Sequence, residues 1–153
     1  MKCPTFQVAN DSHITVLLPL VRAYHHFEQI VLTDQQRLET LLPLLADHST
    51  LGRIWLISVA EHVIGYVALC FGYSIELGGR DAFIDELFLV ESARGQGIGK
   101  QVLDFVIRQA ASLDIAALHL EVARANDRAK RLYSQAGFSA RDRYHLMTFN
   151  VTS

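Results

Sequence analysis

Apolar positions along this chain fall into blocks of helical and strand period. Leu17, Leu18, Val21, Tyr24 and Phe27 recur three or four residues apart, the spacing of one helix face. Asp11 or Ser12 can cap this helix, which the pattern carries to about Ile30. Pro19 lies inside it and predicts a kink or a late start. Thr33 followed by Gln36 reads as a capping box, opening a second helix from Asp34 to about Ala46, with Pro43 near its end. From Arg53 the period changes. Ile54, Trp55, Leu56, Ile57 and Val59 are β-branched, aromatic and apolar, as in a buried strand. Ala60-Glu61-His62 makes a tight connection to a second strand, Val63 to Tyr73, and the two predict an antiparallel hairpin. A third strand, Ala82 to Val90, follows the Gly78-Gly79 turn. After RGQGIGK, the positions Ile98, Val102, Val106, Ala110 and Leu113 mark an amphipathic helix. Ala117 to Val122 reads as a strand, Asn126 to Ala136 as a helix stopped by Gly137, and Tyr144 to Val151 as a closing strand. Strands interleaved with helices predict an α/β fold of the α+β kind, with helices on both sides of a mixed sheet.

The chain has 153 residues, the size of one domain, and neither a repeat nor a Pro/Gly/Ser linker divides it. A single domain over residues 1–153 is therefore expected. Half of the residues are apolar, enough for a full core, and the net charge is −2. That balance lacks the basic face a nucleic-acid partner usually requires. The apolar runs are short and broken by glycine, as in VIGYVALCFGY, so no membrane span is expected. MKCPTFQVAN carries no long apolar stretch, so no signal peptide is expected either. Cys3 and Cys70 are far apart and fit no metal spacing; free thiols in a reducing cytoplasm are the expectation.

The candidate chemistry begins with Arg94-Gly95-Gln96-Gly97-Ile98-Gly99-Lys100, between a strand and a helix. Glycines let backbone N–H groups approach an anion without a Cβ in the way. The helix start adds unpaired donors and a positive dipole end, and Arg94 and Lys100 add charge. Such a loop suits a pyrophosphate, although Gly-x-Gly also occurs as a plain tight turn. The dinucleotide fingerprint needs a third glycine where this chain has Val102, and the P-loop needs Ser or Thr where it has Gln101. Asp85 and Glu86 form an acidic pair in an apolar strand, where ionised carboxylates are costly without partners. Neighbouring strand residues face opposite sides, so only one should enter a given cleft unless a bulge turns them. Tyr133 follows Asn126 by two helical turns and shares its face; alone, these read as a core aromatic and an N-cap. His25 and His26 are adjacent, diverge on a helix and do not chelate one metal well, so no metal site is expected. Trp55 is expected in the core.

The run IDELFLVESARGQGIGKQVLDFVI resembles the pyrophosphate-binding core of the GNAT acetyltransferase superfamily, whose mark is Arg/Gln-x-x-Gly-x-Gly/Ala after an apolar strand. Arg94, Gly97 and Gly99 match it. A second match follows in LEVARANDRAKRLYSQAGF, with Asn126, Ala129, Tyr133 and Gly137-Phe138 at the family positions. The resemblance is sharp from Ile84 to Phe138 and loose over the first part of the chain. It implies a GNAT-type fold, with a mixed, mostly antiparallel sheet of about six or seven strands and about four helices. It further implies acetyl-CoA as co-substrate, with Leu87, Phe88 and Leu89 lending backbone groups to the pantetheine arm. By the same resemblance this strand bulges and splays from its neighbour, residues Gly95 to Lys100 hold the pyrophosphate, and Asn126 contacts the cofactor arm.

The implied reaction is direct attack of a primary amine on the thioester. The amine must lose a proton and the leaving thiolate must gain one. Tyr133 is the implied general acid. The segment around Asp85-Glu86 aligns without gaps on polyamine and thialysine acetyltransferases, which implies recognition and deprotonation of a cationic small-molecule amine. Glu121 resembles the base position of ribosomal-protein N-terminal acetyltransferases and keeps open a protein N-terminal or lysine acetyltransferase. A non-catalytic acetyl-CoA-binding module is the alternative of another class. In this superfamily the end of the first helix lines the acceptor pocket, which makes Tyr24, His26, Phe27 and Glu28 candidates. The resemblance and the apolar tail YHLMTFNV together suggest a homodimer.

Overall fold

A computed structural model describes residues 3–152. The order of elements is β1 (Thr5–Val8), a 3-10 turn (Asp11–His13), α1 (Ile14–Phe27), α2 (Asp34–Leu45), β2 (Gly52–Val59), β3 (His62–Ser74), β4 (Gly79–Leu89), a second 3-10 turn (Glu91–Ala93), α3 (Ile98–Ser112), β5 (Ile115–His119) and α4 (Asp127–Gln135). The chain divides into two compact units, one ending at Glu121 and one beginning at Val122.

The first unit holds a five-stranded sheet in the order β1-β2-β3-β4-β5. All neighbours are antiparallel except β4 and β5, which are parallel across the α3 crossover. Alternation along the strands sorts side chains to two faces. Ile54, Leu56, Tyr66, Ala68 and Phe88 pack with Leu17 and Val21 of α1 and Leu41 and Leu45 of α2. On the opposite face Trp55, Ile57, Val67 and Leu69 are fully buried, as are Ile98, Val102, Leu103 and Val106 of α3. Phe105 of α3 stacks on Phe6 at 3.9 Å between ring centroids and meets Trp55 edge-on at 5.5 Å. Trp55 is thus core, as its sequence context implied.

Local chemistry explains the element ends. Asn10, rather than Asp11 or Ser12, is the first cap: its side-chain oxygen accepts from the Ser12 amide at 3.0 Å, and its own amide donates to His13 Nδ1. The 3-10 turn leads straight into α1, which continues through Pro19. Thr33 and Gln36 form the expected reciprocal capping box. Ala60 and Glu61 connect β2 to β3 with φ of 48° and 67°. Two positive φ angles are those of a type I′ hairpin turn, which normally carries Asn-Gly.

The closing strand expected over Tyr144–Val151 is absent: these residues have no ladder partner, and Leu146, Met147, Phe149 and Val151 are exposed. An alternating pattern supplies a face, but a strand also requires a neighbour for its backbone groups. The sheet among the described residues accordingly has five strands rather than six or seven, while the four helices match. β5 is shorter than the Ala117–Val122 reading and begins at Ile115. No helix among the described residues is long and apolar enough to cross a membrane.

Candidate active site

The centre of interest is the second half of β4. On the β3 side its ladder is complete except at one point: Ala68 pairs with Glu86 and Leu69 with Ile84, leaving Asp85 without an opposite residue. Such a bulge inserts one extra residue and turns the strand. Glu86 shares a face with its partner Ala68, the face covered by α1 and α2. Asp85 turns to the same side: as the extra residue of the bulge it lies near Cys70, two residues along from Ala68, and its charge raises that thiol. The bulge therefore brings both acids to one face, the single circumstance in which sequence alternation allowed it.

On the other edge of β4, pairing with β5 runs only from Arg80 to Phe83. Ile84 to Leu89 have no ladder partner on that side, and their backbone groups line an open strand edge. Leu87, Phe88 and Leu89 lie within it. Gly65 of β3 sits opposite Leu89, and a Cβ there would overlap the Phe88 carbonyl oxygen. Its lack of a side chain lets β3 hold this segment closely.

Glu86 is engaged on both oxygens. Tyr66 donates its hydroxyl to Oε1 at 2.8 Å, and His25 Nε2 lies 2.6 Å from Oε2. Burial raises the Glu86 carboxyl above its ordinary value, while the His25 and Tyr66 hydrogen bonds pull it back. Burial, assisted by Glu86, also holds the Tyr66 phenol protonated. Cys70 is pushed up to about 11, by burial first and then by Asp85 and Glu86, which makes it a weak nucleophile. Behind His25, Arg37 Nε donates to His25 Nδ1 at 3.0 Å and Arg37 Nη1 to Asp34 at 2.8 Å; Arg22 grips Asp34 at 3.1 and 2.7 Å. No buried side-chain polar atom among the described residues lacks a partner.

The glycine loop follows. Gly95 and Gly97 take φ of 70° and 77°, the left-handed region that favours glycine. Gly97 caps α3 without a side-chain hydrogen bond, and nothing lies within 4 Å of where its Cβ would be. A helix start built this way leaves its first-turn amides facing outward, an arrangement that fits a pyrophosphate. The flanking side chains have local partners. Arg94 Nε donates to the Leu89 carbonyl at 2.8 Å, and its guanidinium lies over Phe27 and Phe88. Gln96 donates to the Ser92 carbonyl, and Lys100 pairs with Asp104 at 2.9 Å. Ile98 is buried and begins α3, and Gly99 is the second residue of that helix.

In the second unit, Asn126 caps α4 by accepting from the Ala129 amide at 3.1 Å. Tyr133 is half-buried on α4, with its ring 6.1 Å from that of Phe138. Glu121 is exposed beyond the end of β5. Of the acceptor-side candidates, Tyr24 packs against Tyr66 and Phe88, whereas His26, Phe27 and Glu28 are exposed. Sequence reasoning weighed His25 only beside His26, as a poor metal pair, and passed over Arg37; both are buried polar residues. A signal was present: Leu17-Val21-His25 and Arg37-Leu41-Leu45 are four-residue stripes, which place both polar residues on buried faces. Among the described residues no group of three or more His, Cys, Asp or Glu side chains is arranged to hold a metal ion.

Comparison with known proteins bears on this geometry. Residues 19–138 match the acetyltransferase (GNAT) family. An uncharacterised N-acetyltransferase of Bacillus subtilis (strain 168), YycN, is 40% identical over 63 residues, 41% of this chain and 40% of that protein. A thialysine N-epsilon-acetyltransferase of Bos taurus is 33% identical over 75 residues, 49% of this chain and 44% of that protein. Both matches thus span less than half of either protein. Among solved structures, an integron cassette protein from the mobile metagenome of Cole Harbour Salt Marsh superposes with a TM-score of 0.80 at 28% identity, over 97% of this chain and 91% of its own.

Proposed function

The chain belongs to the acetyltransferase (GNAT) family, and from that premise we propose that it moves the acetyl group of acetyl-CoA to a primary amine of a small cationic molecule. Acetyl-CoA is the family's co-substrate, and the match across residues 19–138 supports reading both units as parts of one acetyltransferase domain. The observation that carries the acceptor class is the bulge at Asp85, which sets two carboxylates side by side next to an open strand edge. An ammonium group is drawn to such a pair, and a carboxylate beside it can take its proton. The partial likeness to a thialysine acetyltransferase supports the same class.

In this reading the edge of β4 from Leu87 to Leu89 pairs with the pantetheine amides as an added strand. The amides from Gly95 to Lys100 hold the pyrophosphate, with Asn126 lining the arm. Asp85 and Glu86 receive the amine, and Tyr133 gives a proton to the departing thiolate. The reaction needs no covalent enzyme intermediate, and the raised Cys70 thiol fits no nucleophilic role. Release of coenzyme A thiol, measured with a panel of diamines, amino-acid amines and neutral amines, tests the proposal. Asp85→Asn and Glu86→Gln together should raise KM for cationic amines most. Equal losses for neutral acceptors, or turnover only with peptides, would turn the assignment toward a protein substrate. The exposed apolar residues of the 144–151 segment support a dimer, which light scattering checks, and we place the enzyme in the cytoplasm.

A further inference from the structure

The hydrogen bonds around Glu86 carry an assignment beyond the acidic pair. Arg37 Nε–H donates to His25 Nδ1 at 3.0 Å. A guanidinium does not give up its proton in a protein, so Nδ1 must present its lone pair and the ring hydrogen must sit on Nε2. That nitrogen points at Glu86 Oε2, 2.6 Å away. Protonating the ring at Nδ1 would set N–H against N–H between two cations in a buried place, since His25 and Arg37 are only 6% and 8% exposed. The imidazole is thus a one-way donor: it cannot pass a proton inward from Glu86, because its far nitrogen is occupied.

The remaining links fix Arg37. Asp34, at the start of α2, holds Arg37 and is itself held by Arg22 of α1. Glu86 and Asp34 are two anions, Arg37 and Arg22 two cations, so the network is neutral. Asp85 lies outside this balance; it is exposed, near the Cys70 thiol. The groups facing Glu86 are His25 of α1, Tyr66 and Cys70 of β3 and Asp85 of β4, with Tyr24 beside Tyr66 and Arg37 of α2 one bond further away.

We propose that His25 and Arg37 are positioning residues for amine acetylation: Arg37 sets the His25 tautomer, and His25 thereby pins Glu86 as an oriented anion at the acceptor site. The two acids then divide the work. Glu86 supplies a fixed negative charge, and the exposed Asp85 exchanges the amine proton with solvent. This division rests on the acetyl-transfer reading above; the tautomer does not.

Two measurements test it. Long-range proton–nitrogen spectra of the His25 ring should show hydrogen on Nε2 and a bare Nδ1. Arg37→Met removes the donor to Nδ1 and should let the other tautomer appear. A wild-type ring that carries its hydrogen on Nδ1 overturns the proposal. In the kcat/KM profile against pH, His25→Leu should move the acidic limb upward by about one unit. His25→Gln keeps a donor and an acceptor and should leave the limb near the wild-type position. If both variants lower the thermal midpoint and neither moves the limb, the role is structural only and the proposal fails. Should His25→Leu not fold, the spectra and the glutamine variant decide. If no amine is acetylated by the wild type, the functional reading falls, while the ring spectra still judge the tautomer.

Discussion

Replacing Tyr66 with phenylalanine isolates one hydrogen bond of the buried carboxylate. The ring is fully buried and keeps its neighbours, Tyr24 at 6.5 Å and Phe88 at 6.3 Å, so packing is nearly conserved and only the hydroxyl 2.8 Å from Glu86 Oε1 is lost. A hydrogen bond to an ionised group contributes about 1.5–3 kcal/mol and one to a neutral group about 0.5–1.5 kcal/mol. The cost of the substitution should therefore exceed, by about 1–1.5 kcal/mol, its cost where Glu86 is protonated. That difference corresponds to a rise of about one unit in the folded-state pKa of Glu86.

The sign follows from linkage. The folded Glu86 already sits above its ordinary 4.5, with burial as the main cause. Between the unfolded and folded values the native state holds more protons, so the contribution of this group to stability is fully present below 4.5 and is lost as pH rises through the folded value. Tyr66→Phe raises the folded value further and widens that window, so the two stability curves should separate as pH rises. Urea unfolding of both proteins at an acidic pH that keeps the fold, and again at about pH 8, measures it. A destabilisation equal at both ends would refute the assignment of Tyr66 as donor to an ionised carboxylate.

Three further outcomes are expected. Gly97→Ala meets no steric obstacle but must hold φ near 77°, a strain of roughly 1–2 kcal/mol. It should fold and bind coenzyme A at least about tenfold more weakly by calorimetry; an unchanged affinity removes the loop from the binding site. Tyr133→Phe should slow thiol release by about a hundredfold or more while leaving the coenzyme A dissociation constant alone, and an unaltered rate excludes it as the acid. The double change Ala60→Asn, Glu61→Gly suits the positive φ pair of the β2–β3 turn and should add about 1 kcal/mol, or roughly 2–4 °C in Tm. A lower Tm would mean that the turn is held by something other than its own backbone preferences.

Much of this molecule could be read from its letters because the controlling physics is local. The Thr33–Gln36 box, the β2–β3 hairpin and the glycines before α3 each depend on residues a few positions apart. The acidic pair was visible as charge in an apolar strand, but its common face depends on a bulge set by the register with β3. His25 and Arg37 stand at the ends of apolar stripes, and their meaning lies in partners 12 and 61 residues away. The 144–151 segment failed in the opposite way. Its alternation is genuine, but no pattern within a segment shows whether a neighbouring strand exists to receive it.

The early end of the β4–β5 ladder has a consequence for handling the protein. A strand edge without a ladder partner is a template for any extended chain, including another copy. The coenzyme arm, in the proposed role, is a plug for that seam as well as a substrate. Preparations carried through purification with coenzyme A should therefore scatter less light on heating than those kept without it, and melt later in proportion to the logarithm of the ligand concentration.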